Sequence, residues 1–170
     1  MKKKLLFSAF ILAMAILRPT QSKAYDFSAV APSGQTLYYT YYNNDDDPYD
    51  SVYVVFPNAD AQYYGQVWDG YTKPTGNLTI PSSVTYNGVT LPVVGISNGA
   101  FFQCTGLTSV TIPNSVAWIG DRSFCECTGL SGTLTIPSSV NWIGDYAFYN
   151  CTGLCCISLP SNFKFYYALN

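Results

Sequence analysis

The sequence predicts a mainly β protein: a solenoid of about three and a half short coils, preceded by a β region that caps its first end. Three observations predict it. The stretch CTGLTSVTIPNSVAWIGDRSF, from Cys104 to Phe124, returns as CTGLSGTLTIPSSVNWIGDYAF, from Cys127 to Phe148, and starts again at Cys151 as CTGLCCISLP. Tyr, Thr, Val, Ile and Phe abound, punctuated by Gly, Pro, Asn and Ser, which is the composition of short strands and turns. Beyond the first two dozen residues, no long segment carries a helical period.

The chain opens with MKKK, the apolar run LLFSAFILAMAIL (Leu5 to Leu17) and then RPTQSKA. A basic start, a short apolar core and small residues at Ser22 and Ala24 form the layout of a secretory signal peptide over residues 1–24. The run is too short to cross a bilayer core, which takes about 20 helical residues. No second long apolar run is present, so no transmembrane segment is expected after cleavage. Cleavage leaves Lys73, Arg122 and Lys164 against ten acids, a net charge of 3 − 10 = −7. Three cations cannot neutralise a run of phosphates, which excludes nucleic acid as a partner. The absence of His removes the commonest general base and a favoured zinc ligand.

Residues 25–75 differ in character from the repeated region. TLYYTYY (Thr36 to Tyr42) and SVYVVF (Ser51 to Phe56) predict two strands, joined by the turn NNDDDPYD. Ten of the fifteen Tyr lie between Tyr25 and Tyr71, so this segment is either a β cap over the first coil or a Tyr-rich contact surface. Residues 76–170 form the solenoid. Its first copy begins at LTIPSSV (Leu78 to Val84) and resumes at VVGISNGAFFQC, interrupted by TYNGVTLP, whose Asn87-Gly88 pair suits a tight hairpin turn. In the next copy Leu107, Val110, Ile112, Val116, Ile119 and Phe124 are the inward side chains, and Pro113 and Gly120 mark bends. One such coil cannot bury its own apolar face, so the copies exist to bury each other. After Pro160, SNFKFYYALN either folds over the last coil or leaves it open.

The phrase CTGLTSVTIPNSVAWIGDRSF, with its copy ending GDYAF, resembles the BspA-like leucine-rich repeat family, also called type 5, over Gly76 to Pro160. The spacing of 23 to 24 residues lies within the leucine-rich range. The opening YDFSAVAPSGQTLYY also resembles the region preceding such repeats in secreted proteins of commensal bacteria. The resemblance implies a secreted or cell-surface module without catalysis or cofactor, which contacts host proteins, bacterial surface proteins, matrix or glycans. The alternative readings are a truncated remnant of a longer surface protein and, behind it, a glycan-active enzyme.

Several side chains are candidates for chemistry. Trp118 and Trp142 share one repeat position, next to the inward Ile119 and Ile143. They either shield their neighbours or form an outward aromatic platform for a sugar or an apolar protein anchor. Thr79, Thr111, Thr135 and Ser158 alternate with inward residues and form a hydroxyl row, either a ligand surface or simply good strand residues. Asp121 and Asp145 recur 24 residues apart, a carboxylate pair on what reads as a solvated edge. Asp45, Asp46, Asp47 and Asp50 read as a solvated hairpin tip, without the Gly and Glu of a calcium loop, so no metal site is expected. Cys104, Cys127 and Cys151 read as a ladder of buried free thiols, leaving Cys125, Cys155 and Cys156 as the candidates for oxidation.

Overall fold

Alternating apolar residues make each repeat a pair of short strands, and the bends between them return the chain to the same register one coil later. The computed structural model describes residues 24–42, 50–59, 61–161 and 163. Residues 1–23 of the expected leader, Asp45, Asp46 and Asp47 of the acidic turn and most of the tail after Pro160 lie outside the described residues.

Among the described residues eleven strands succeed one another: β1 (Phe27–Val30), β2 (Thr36–Tyr41), β3 (Val52–Val55), β4 (Gly76–Thr79), β5 (Ser83–Tyr86), β6 (Val89–Ile96), β7 (Leu107–Thr111), β8 (Trp118–Ile119), β9 (Gly132–Thr135), β10 (Trp142–Ile143) and β11 (Leu154–Ser158). The two strands expected near the start are β2 and β3, and β1 adds an antiparallel neighbour to β2. The expected hairpin joins β5 to β6 with Tyr86 opposite Val89. Its turn residues Asn87 and Gly88 have φ of 50° and 79°, as a two-residue hairpin turn requires.

The repeats pair in parallel. β4 lies beside β7 and β9 beside β11, each pair a two-stranded sheet, while β6, β8 and β10 run side by side in a larger one. That sheet does not stop at the first repeat: β3 pairs in parallel with β6, and β2 and β1 extend it further. The N-terminal segment also reaches β4, where Ser33 Oγ accepts the Thr79 N–H and Gln35 Nε2 donates to the carbonyls of Thr75 and Asn77. One apolar core accordingly runs from Phe27 to Cys151.

Inside, like residues stack on like. Phe101, Phe124 and Phe148 form a column of near-parallel rings with centroids 4.9 and 5.4 Å apart. Leu107, Ile112, Val116, Ile119 and Phe124 are buried as the pattern predicts. Val110 is only half-buried, so its inward place is shared with the surface. Cys104, Cys127 and Cys151 are buried free thiols; Cys127 Sγ donates to the Phe101 carbonyl and Cys151 Sγ to the Phe124 carbonyl, each at 3.0 Å. One expectation is corrected: Cys125 is a buried thiol, shielded from oxidants by its place in the core, and only Cys155 and Cys156 are exposed.

Candidate functional site

The outward face of the sheet built by β3, β6, β8 and β10 carries the largest aromatic side chains of the solenoid. Register puts Tyr53 opposite Gly95, Gly95 opposite Trp118 and Trp118 opposite Trp142. These four residues form one row, and the flanking Val52, Val54, Ile96 and Ile119 point into the core. The third position of the row is filled differently from the fourth. Gly95 leaves a gap, and the Trp118 indole lies in it: a Cβ on Gly95 would collide with Trp118 Cε2. Lying there, Trp118 meets the Tyr53 ring at 5.2 Å and 57° and is half-buried. Trp142 remains 42 % exposed. The two indoles are thus neighbours in register, with Trp118 turned toward Tyr53.

Beside Tyr53 and Trp118, on the side away from Trp142, opens a cleft of ≈ 650 Å³. Tyr41, Tyr42, Tyr53, Phe56 and Trp118 supply its rings, and Ser97 and Asn98 its small polar groups. Tyr42 meets Tyr53 edge-on at 6.4 Å. Burial pushes the Tyr53 phenol above its usual range, with the Asp26 charge adding to the effect; like any tyrosine it is protonated at neutral pH and can donate a hydrogen bond. Asn98 Oδ1 accepts the Asp121 backbone N–H at 2.8 Å, which fixes the orientation of the amide and leaves its NH₂ as a donor.

The same contact explains the carboxylate pair. Asp121 Oδ1 accepts the Asp145 N–H at 2.9 Å, one coil further along. Asn98, Asp121 and Asp145 therefore occupy equivalent positions on a ladder that ties each coil to the next, and the Asp121 carboxylate serves the backbone. The hydroxyl row divides into two pairs, Thr79 opposite Thr111 and Thr135 opposite Ser158. Thr111, Thr135 and Ser158 are exposed and Thr79 is half-buried under the Ser33 turn. That row lies on other strands than the aromatic one. Among the described residues no three His, Cys, Asp or Glu side chains gather as a metal site would need.

Tyr53 and Asn98 are not among the residues that the sequence singles out. Aligning the copies holds a signal for one of them: Gly-Ile-Ser-Asn in the first coil stands where the next two have Trp-Ile-Gly-Asp, so Asn98 replaces an Asp and Ser97 a Gly. Nothing local marks Tyr53, which reaches the row only through the β3–β6 pairing.

No helix among the described residues is long and apolar enough to cross a membrane. The solved structures similar to this chain are bacterial. A leucine-rich repeat protein of T. pallidum matches at 22 % identity and a TM-score of 0.52, over 86 % of this chain and 51 % of its own. A leucine-rich repeat protein of Bacteroides capillosus matches at 22 % identity and a TM-score of 0.46, over 82 % and 99 %. A leucine-rich cell surface protein of Faecalibacterium prausnitzii matches at 20 % identity and a TM-score of 0.39, over 81 % and 44 %. The chain spans about half the length of the T. pallidum protein. None of the curated proteins matches it. The family model for the BspA type leucine-rich repeat region matches residues 71–168 in six copies. With the strands in parallel coils and the repeat phrase written through them, the chain belongs to the BspA-type leucine-rich repeat family.

Proposed function

We propose that this chain is a non-catalytic binding module of the cell surface or the secreted fraction, and that it holds a protein or glycan partner on the aromatic face of Tyr53, Trp118 and Trp142. The observation that carries this is the register of that face. Large rings with polar edges are presented outward by strands whose backbones are locked to the next coil. Rigid aromatic residues give contact area at small entropic cost, which suits a recognition surface. Membership in the repeat family supports an interaction role, and the leader-like first 24 residues support export. The hydroxyl pairs Thr79–Thr111 and Thr135–Ser158 offer further polar contacts on the two small sheets. The test is a binding screen of the purified protein against matrix proteins, bacterial surface proteins and glycans, repeated with Trp118→Ala combined with Trp142→Ala. Loss of about tenfold or more in affinity is expected for truncated aromatic anchors. A partner bound equally well by the double variant would refute the assignment to this face.

A further inference from the structure

We propose that Cys155 and Cys156 form a two-thiolate site for a soft monovalent cation of the copper(I) class, on the outward face of β11. The pair lies on another sheet than the aromatic face, and the proposal stands independently of the binding reading above.

A bulge turns the two cysteines the same way. On a regular strand, consecutive side chains point to opposite faces. Here Leu154 stands opposite Gly132 and Cys156 opposite Thr133, so Cys155 is the extra residue of a bulge. Two coils earlier β7 carries the same irregularity: Leu107 stands opposite Gly76 and Ser109 opposite Asn77, with Thr108 as the extra residue. There the consequence is visible. Thr108 Oγ1 and Ser109 Oγ both donate to Asn77 Oδ1, each at 2.9 Å. Two consecutive side chains thus share one face, and their oxygens stand no more than twice that distance apart. Cys155 and Cys156 follow the CTGL phrase in the same two places. Cys156 Sγ lies 3.3 Å from Thr133 Oγ1, at the counterpart of Asn77, and both thiols are exposed and free.

Exchanging hydroxyls for thiols in that frame changes what it holds. Thiolates select soft cations, copper(I) among them. Metal–sulfur bonds of about 2.3 Å let one ion bridge sulfurs up to about 4.6 Å apart, which the limit set by the β7 pair admits. Structural zinc takes four donors and calcium six or more, whereas no third His, Cys, Asp or Glu joins the pair among the described residues. A soft monovalent ion is held well by two sulfurs. The pair is also kept from closing on itself. Consecutive Cα atoms stand about 3.8 Å apart, short of the usual disulfide span of about 4.4–6.8 Å. The other four cysteines are all buried, so no further thiol of this chain competes. On binding, both thiols release their protons to solvent and each sulfur donates a lone pair to the ion, with no change of oxidation state. The Thr133 hydroxyl then donates to the Cys156 sulfur and steadies its negative charge.

The experiment takes the whole purified protein, freshly reduced and freed of reductant without air, and offers copper(I) as its bathocuproine disulfonate complex. The expected result is transfer of one copper(I) per chain, read as loss of the complex's colour, with Cys155 and Cys156 then shielded from iodoacetamide. Cys155→Ser and Cys156→Ser should each weaken uptake by about a hundredfold, because the second sulfur binds intramolecularly. Both positions are exposed, so the variants should melt like the parent. Thr108→Cys combined with Ser109→Cys carries the thiol pair to the other bulge, also exposed, and should add a second copper(I). No uptake, uptake indifferent to both serine variants, or equal competition by zinc(II) overturns the assignment. One copper(I) shared between two chains in size exclusion overturns the site within one chain, and no second ion in the transplanted pair overturns the bulge argument.

Discussion

The glycine of the CTGL phrase offers a graded test of how the coils pack. Gly106, Gly129 and Gly153 occupy one repeat position, and none of them has a left-handed φ, so alanine is free to adopt their backbone angles. What differs is the neighbour. A Cβ on Gly129 would run into the Thr105 carbonyl oxygen and stand 2.6 Å from that of Leu107, both fixed backbone. A Cβ on Gly106 would instead stand 2.7 Å from the Thr75 methyl, the end of a side chain that can turn away. Overpacking against a fixed neighbour costs about 1–3 kcal/mol. Replacing Gly by Ala returns about 0.4–1 kcal/mol by narrowing the unfolded ensemble. For Gly129→Ala, with two fixed carbonyls in the way, the cost takes the upper end of its range; less the return it leaves a loss of about 2 kcal/mol, or a Tm lower by about 4–8 °C in a chain of this size. For Gly106→Ala the two nearly cancel, and the Tm should stay within about 2 °C of the parent. Thermal unfolding followed by circular dichroism, on both variants in one buffer, reads the difference. Equal Tm changes in the two variants would refute the reasoning, because the close approach of one coil's carbonyls would then not be what selects glycine.

The ladders between coils give two further outcomes. Asp121→Asn should leave stability nearly unchanged, because an amide oxygen can take the Asp145 N–H as Asn98 takes that of Asp121, whereas Asp121→Ala should cost about 1 kcal/mol in urea unfolding; a larger loss for Asn than for Ala would show that the charge, not the acceptor, matters. Iodoacetamide at pH 8 should label Cys155 and Cys156 of freshly reduced native protein and spare the other four cysteines until urea is added, as counted by mass spectrometry. Burial pushes the Cys104 thiol up to about 12 and the Cys151 thiol to about 11, so both are protonated and unreactive at that pH as well as hidden. Rapid labelling of Cys151 in the native protein would contradict its place in the core.

Much of the solenoid is legible in the sequence because its signals are local and repeated. A spacing of 23 to 24 residues, an alternating L-x-x-L-x-L phrase and an Asn-Gly turn each state their geometry within a few residues. Even so, alternation alone misjudges Val110, which is half-buried although its equivalents Leu78 and Leu134 in the neighbouring coils are buried. Cys125 reads as a reactive thiol because it falls outside the recurring Cys position, yet the bend at Arg122–Cys127 turns it into the core. The site is harder to read. Trp118 announces itself, but Tyr53 lies in a segment without repeats, 65 residues earlier in the chain, and no periodicity fixes which strand meets β6. Gly95 is equally silent: its function is to have no side chain where the Trp118 ring must lie.

The division of labour among repeat positions explains how so regular a chain has room for the candidate site. Cysteine sulfur, glycine and the Asn/Asp side chain are each consumed in joining one coil to the next: Cys127 and Cys151 donate to carbonyls, Gly129 and Gly153 admit carbonyls, and Asn98 and Asp121 accept amides. Those positions cannot vary freely without loosening the stack. The outward strand positions carry no such duty, and there the three coils read Gly95, Trp118 and Trp142. Exchanging Gly95 for a larger residue would leave every inter-coil hydrogen bond in place and still move the Trp118 ring out of its gap. Gly95→Ala should therefore lower ligand affinity by about tenfold through the displaced indole, while stability falls by no more than the overpacking of one methyl costs, about 1–3 kcal/mol. A melt and a binding isotherm on the same sample would tell, and a variant that bound normally would mean the ring does not need that gap.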